Sequence, residues 1–171
     1  MKKFIFIAVA YFFCLQSFAQ TAGNNIDTLP TYEKFPSIPM FSIVKAPDST
    51  MFAKANLKKK KETILIMFSP DCEHCQRETD SLIAHIDLFK DVQIVMATPL
   101  DYVHVKKFYE DYKIADYPNI TIGNDPVWYL GGFYTVRNFP TIAVYDKEGQ
   151  FVKLFEGSVS VRKIAAVLKK S

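Results

Sequence analysis

Cysteine is scarce in this chain, with three in 171 residues. That is too few for a small domain stapled by disulfides. Excess charge is scarce too: 21 basic and 18 acidic side chains leave a formal +3. So slight a bias gives no electrostatic footprint for nucleic acid. Beyond the N-terminus no apolar run approaches the ~20 residues of a membrane-spanning helix. No internal repeat is present, and no composition shift marks a second domain. What is there suits one globular unit. The chain is 49% hydrophobic, 23% charged and 15% aromatic, which argues against disorder, collagen and coiled coil.

Residues 1–19 read as a secretory signal peptide. Lys2 and Lys3 give the positive start, and residues 4–15 are apolar. Ser17 and Ala19 then put small side chains at the −3 and −1 positions before Gln20. An uncleaved N-terminal membrane anchor is the alternative. Export places the chain in the periplasm or its equivalent, an oxidising or redox-managed compartment. Cleavage removes Cys14 and leaves only Cys72 and Cys75. A chain of ~150 residues buries close to 70% of its unfolded surface and needs no disulfide for stability. The two thiols are thereby free for chemistry.

Residues 20–35 are polar and read as a flexible leader, and 36–171 as the domain. A strand at 41–44, turn residues at 46–50 and a return at 51–53 suggest an N-terminal hairpin. Lys58, Lys59, Lys60 and Lys61 read as a solvated loop. The unbroken apolar run 63–68 predicts a strand buried on both faces. A helix over 72–90 follows, with Leu82, Ile83, Ile86 and Phe89 on one stripe. Residues 92–97 form a second buried strand and 101–114 a second helix. A short strand is expected at 119–122 and a short helix at 125–132, ended by Gly131 and Gly132. Residues 142–145 and 151–155 pair through a loop at 147–150, and 161–170 close as an amphipathic helix. The order is α/β, finishing in a hairpin and a helix.

Cys72-Glu73-His74-Cys75 sits between a buried strand and a helix. Unpaired N–H groups at a helix start carry positive partial charge. They stabilise a thiolate at Cys72, and the thiolate is the nucleophile. Cys75, one turn inside, is placed to attack a mixed disulfide formed at Cys72. A structural disulfide would close too short a loop to stabilise much. Structural zinc wants a second cysteine pair, which is missing. Copper held by both thiols and His74 stays open as an alternative.

Ser69-Pro70-Asp71-Cys72-Glu73-His74-Cys75, with Pro140-Thr141 ahead of a later strand, resembles the thioredoxin superfamily. The export signal, the N-terminal strand extension and Glu78 three residues after Cys75 resemble its TlpA/ResA branch of extracytoplasmic thiol-disulfide oxidoreductases. The resemblance covers residues 36–170. It implies a thioredoxin-like fold, a central mixed β-sheet flanked by helices. It implies Cys72 as attacking thiol, Cys75 as resolving thiol and Pro140 as a cis-proline facing them. Glu78 aligns with the branch's active-site glutamate, and its spacing puts it on the same helix face as Cys75. Glu73 and His74 would modulate the pair, and Phe139 and Thr141 would border the substrate groove. Asp71 stands where thioredoxins carry an aromatic residue, and Ile66 replaces their buried aspartate.

The expected function is exchange of protein disulfides, in the reductase direction that the branch favours. The redox-active Cys72–Cys75 disulfide would serve, with no metal or diffusible cofactor. The implied partners are protein dithiol or disulfide clients and a membrane or periplasmic redox partner, with no nucleic acid. A copper-binding thioredoxin-like module is the alternative. His85 and His104 read as ordinary helix histidines. The aromatic stretch Trp128, Tyr129, Phe133, Tyr134 and Phe139 reads as packing, with a client-docking surface as the sharper alternative.

Overall fold

The apolar runs in the middle of the chain become the middle of a seven-stranded sheet. In the computed structural model, which describes residues 29–169, the strands are β1 (Ser42–Lys45), β2 (Met51–Ala53), β3 (Thr63–Met67), β4 (Gln93–Thr98), β5 (Ile120–Asn124), β6 (Thr141–Tyr145) and β7 (Phe151–Glu156). Their spatial order is β2-β1-β5-β4-β3-β6-β7. β3, β4 and β5 run parallel, and β6 lies antiparallel on β3. The expected signal peptide and all but the end of the expected leader lie outside the described residues. Within that leader, α1 (Thr31–Lys34) forms one helical turn. Its Tyr32 ring packs 5.9 Å from Tyr134 and 5.2 Å from Phe151, so packed chain begins ahead of residue 36.

Side chains alternate across a strand, and β3, β4 and β6 are buried on both faces. Ile64, Ile66, Ile94, Met96, Ile142 and Val144 point to one side. There they meet α2 (Glu73–Ala84), α3 (Tyr102–Asp111) and α5 (Val161–Leu168). Leu65, Met67, Val95, Ala97, Ala143 and Tyr145 point to the other. That side is covered by Ile38 and Phe41 of the N-terminal segment and by α4 (Tyr129–Phe133). Full burial on both faces is why these strands read as unbroken apolar runs. Lys58, Lys59 and Lys60 are exposed in the connection before β3.

The expected helix 72–90 is divided. α2 stops at Ala84, and His85 leaves helical geometry at φ −123° and ψ 26°. Its Nδ1 donates to the Ser81 carbonyl at 3.0 Å. A separate 3₁₀ turn, Ile86–Phe89, then buries Phe89 completely. Periodicity registered one stripe, whereas packing Phe89 under the sheet required a change of axis. The expected helix 101–114 likewise stops at Asp111, ahead of a 3₁₀ turn at Ile114–Asp116.

The short helix expected at 125–132 is also corrected. Asp125 to Trp128 form a turn, with the Trp128 N–H donating to the Asp125 carbonyl at 3.0 Å. Trp128 is left-handed, φ 50°, and α4 begins after it. Gly131 and Gly132 lie inside α4 rather than ending it. The indole of Trp128 lies against Gly131, where an added Cβ would sit 1.9 Å from the ring. Gly123 permits a similar close approach in β5, facing Ile43 of β1.

Candidate active site

β3 ends at Met67, and Ser69-Pro70-Asp71 then turn the chain into α2. The Cys72 N–H donates to the Ser69 carbonyl at 3.1 Å, and the Gln76 side chain donates to the Pro70 carbonyl at 2.8 Å. These bonds fix Cys72 as the residue that caps α2, half-buried and in extended geometry. Cys75 lies one turn in and is only 1% exposed. Both thiols are free, and the Cys72 side chain is within hydrogen-bonding reach of Cys75. Burial pushes the Cys75 thiol up to about 12. The backbone of Ser69 opposes that shift, while Cys72 and the Glu78 charge add to it.

Phe139 and Pro140 face the pair across the end of the sheet. The Phe139–Pro140 peptide is cis, as the resemblance implies. The Cys72 Sγ lies 3.9 Å from the Phe139 carbonyl oxygen. Phe139 is half-buried and Pro140 buried. Thr141, expected beside the groove, is fully buried, and its hydroxyl donates to the Asn138 carbonyl at 2.7 Å. As the first residue of β6 its side chain points into the protein, so it shapes the proline loop and lines no groove. A second cis peptide, Ala46–Pro47, lies in the turn between β1 and β2; the sequence reading identified the turn but not its isomer.

Glu78 lies one turn beyond Cys75, as expected, and is 8% exposed. Its Oε2 accepts the Val159 N–H at 3.1 Å. Its Oε1 is buried with no hydrogen-bond partner among the described residues. Burial raises the Glu78 carboxyl above its ordinary value, and the Val159 N–H partly opposes this. A cleft of about 10 Å³ is walled by Cys75, Glu78, Ile66, Met96 and Pro140, roughly the room one water needs.

Glu73 and His74 are exposed on the first turn of α2. Arg77 lies 3.4 Å from the Glu73 carboxylate and 2.8 Å from His74 Nδ1. A guanidinium only donates, so His74 Nδ1 accepts and the ring proton sits on Nε2. Among the described residues no group of three or more His, Cys, Asp or Glu is placed to hold a metal ion. His85 bonds back to Ser81 at the end of α2, and His104 is exposed on α3, where it lines a cleft with Pro70, Asp71 and Gln76.

One contributor escaped the sequence reading. The loop after β7 reaches all the parts at once. Gly157 N–H donates to the Pro140 carbonyl at 2.8 Å, the Ser158 hydroxyl to the His74 carbonyl at 3.5 Å, and Val159 N–H to Glu78. The only signal for it was a glycine just past a strand. Gly157 sits at φ +79°, which other residues rarely adopt.

Residues 49–171 match the thioredoxin-like domain family. The chain belongs to that family. Among solved structures, this thioredoxin-like chain is similar to a secreted Mycobacterium tuberculosis disulfide oxidoreductase homologous to DsbE of E. coli. The two share 20% identity at a TM-score of 0.64, over 77% of this chain and 96% of that one. StoA from Bacillus subtilis matches at 20% identity and TM-score 0.56, over 77% and 98%. A peroxiredoxin-like protein from Aquifex aeolicus matches at 17% identity and TM-score 0.63, over 78% and 84%. Likeness at these identities establishes the fold, and it spans proteins named for different chemistry. No curated protein matches the chain. Among the described residues no helix is long and apolar enough to cross a membrane.

Proposed function

We propose that the protein is an extracytoplasmic thiol-disulfide oxidoreductase that reduces protein disulfides. The observation that carries this reading is the asymmetry of the pair. Cys72 caps a helix beside the Phe139 carbonyl and the cis-proline, while Cys75 is recessed and holds its proton. The thiolate of Cys72 attacks one sulfur of a client disulfide. A mixed disulfide forms and the first client thiolate leaves. The Cys75 proton passes to Glu78, directly or across the small cleft they share. The Cys75 thiolate then attacks the Cys72 sulfur and expels the second client thiolate. Two electrons move to the client, whose two thiolates take up one proton from Glu78 and one from solvent, and Cys72–Cys75 becomes a disulfide. A membrane or periplasmic dithiol partner resets it, and no metal or diffusible cofactor enters.

A buried carboxyl whose value is raised toward working pH is a suitable proton acceptor. Glu78 has that setting, one helical turn from the thiol it would serve. Extracytoplasmic placement is supported by the N-terminal signal pattern. The reductase direction is supported by the resemblance to the TlpA/ResA branch.

A Cys75→Ser variant tests the exchange chemistry. It should accumulate mixed disulfides at Cys72 with client proteins, because nothing resolves them, and absence of adducts sinks the reading. The reduction potential tests the direction. A value near that of thioredoxin, about −270 mV, supports a reductase, and one near the strong oxidants at about −120 mV reverses it.

A further inference from the structure

Trp128 stands between the cysteines and a second feature. On one side its ring packs edge-on against Phe139 at 5.8 Å, and the Phe139 carbonyl faces Cys72. On the other it lines an open groove of about 660 Å³. The groove lies between the N-terminal segment and α4. Eight large hydrophobic side chains stay exposed among the described residues, and four of them, Phe35, Met40, Val127 and Tyr129, line it. Such clustering marks an interaction site, whereas scattered exposed apolar residues mark nothing.

The groove has a defined chemistry. No acidic residue lines it, and its only charge is Lys54. The Lys54 ammonium is committed to the Ile38 carbonyl, which it holds in the wall. An apolar occupant therefore meets no anion, and one cation whose ammonium is already hydrogen-bonded into the wall. The volume lies in the ~300–1,000 Å³ range of pockets that enclose a ligand. Both walls are braced. Asp125 accepts the Leu130 N–H at 2.8 Å at the start of α4. Across the groove, the Ile38 N–H donates to the Gly149 carbonyl at 3.0 Å. The Phe35 and Met40 wall precedes residue 49, where the family match begins. One wall thus lies within the family match and the other ahead of it.

We propose that this groove receives a large apolar side chain of an extended polypeptide client whose cysteine exchanges at Cys72. The proposal rests on the thiol-disulfide reading above and adds the recognition element. Continuity decides the occupant. Trp128 walls the groove and packs on Phe139, whose carbonyl faces the attacking sulfur, so a client chain seated in the groove lies two side chains from Cys72 and can present its cysteine there.

The test uses peptides whose cysteine is activated as a mixed disulfide with thionitrobenzoate. Phenylalanine is moved stepwise away from the cysteine, with serine in the control. Reduced protein should react at least about tenfold faster with the best phenylalanine peptide than with the serine peptide, equivalent to ~1.4 kcal/mol. Met40→Glu combined with Val127→Glu should bring that ratio to within about twofold. These side chains are 76% and 80% exposed, so charged replacements leave the core intact. A second readout needs no thiol chemistry. Trp128 is the only tryptophan in the chain, and its fluorescence should respond to the phenylalanine peptide with cysteine replaced by serine. No rate preference and no fluorescence response overturn the proposal. So does self-association of the protein that Met40→Glu abolishes, which assigns the groove to a second copy. A variant-sensitive fluorescence response without any exchange upholds the groove and refutes the redox reading.

Discussion

Reduced protein exposed to iodoacetamide should lose Cys72 long before Cys75. The thiolate is the reacting form, and Cys75 sits at about 12 because burial disfavours its charge. An ordinary thiol near 8.5 is ~3% ionised at pH 7. A thiol at 12 is ionised in ~1 part in 10⁵, a deficit of ~3,000-fold. A more basic thiolate is also more nucleophilic, with a Brønsted slope of ~0.4–0.5, which returns ~40-fold. The chemical terms alone leave Cys75 slower than an ordinary thiol by ~10²-fold. Its 1% exposure adds a steric barrier on top. Peptide mass spectrometry after timed alkylation reads both sites in one sample. Between pH 7 and pH 10 the Cys75 rate should keep climbing by about tenfold per pH unit, because its titration lies higher still. A plateau below pH 10, or a Cys75 rate within about threefold of Cys72, would refute the recessed-thiol assignment.

Glu78→Gln should slow resolution of the mixed disulfide in stopped-flow exchange and leave the first attack by Cys72 largely intact; equal resolution rates would remove Glu78 from the mechanism. Because burial raises the folded-state value of Glu78, its contribution to stability is present below the unfolded value of ~4.3 and is lost as pH rises through the folded one. Thermal melts should therefore show Glu78→Gln more stable than wild type at pH 7, with the gain vanishing below pH ~4, and a gain at acid pH would contradict the sign. Gly123→Ala should destabilise by ~1–3 kcal/mol, since its Cβ would lie 2.8 Å from Ile43 and 2.9 Å from the Val44 carbonyl; an unchanged urea midpoint would show that β1 gives way freely. Gly131→Ala should push the Trp128 indole off α4 and shift its emission to the red, and an unmoved spectrum would deny that contact.

The redox motif was legible because it is local. Cys72 and Cys75 lie between a strand and a helix that the sequence itself announces, and Glu78, singled out by the resemblance, falls on the same helix face. The two-faced strands β3, β4 and β6 were equally legible, since burial on both sides leaves a continuous apolar run. Element ends were not. His85 breaks a regular stripe where Phe89 goes under the sheet, and Trp128 is left-handed where its ring lies on Gly131. Both breaks go with side-chain packing that the periodicity of a single segment does not encode. The same holds for the site's periphery. Val159 reaches Glu78 across 81 positions of sequence. Thr141 stands next to the cis-proline in sequence yet points into the core. The groove is made by residues 31–40, Lys54 and residues 127–133, which only the packing of the N-terminal segment and α4 over one face of the sheet brings together. Local chemistry was determined by the sequence alone. Which side chains share a surface was decided by the tertiary structure, because burial and contact depend on what lies opposite.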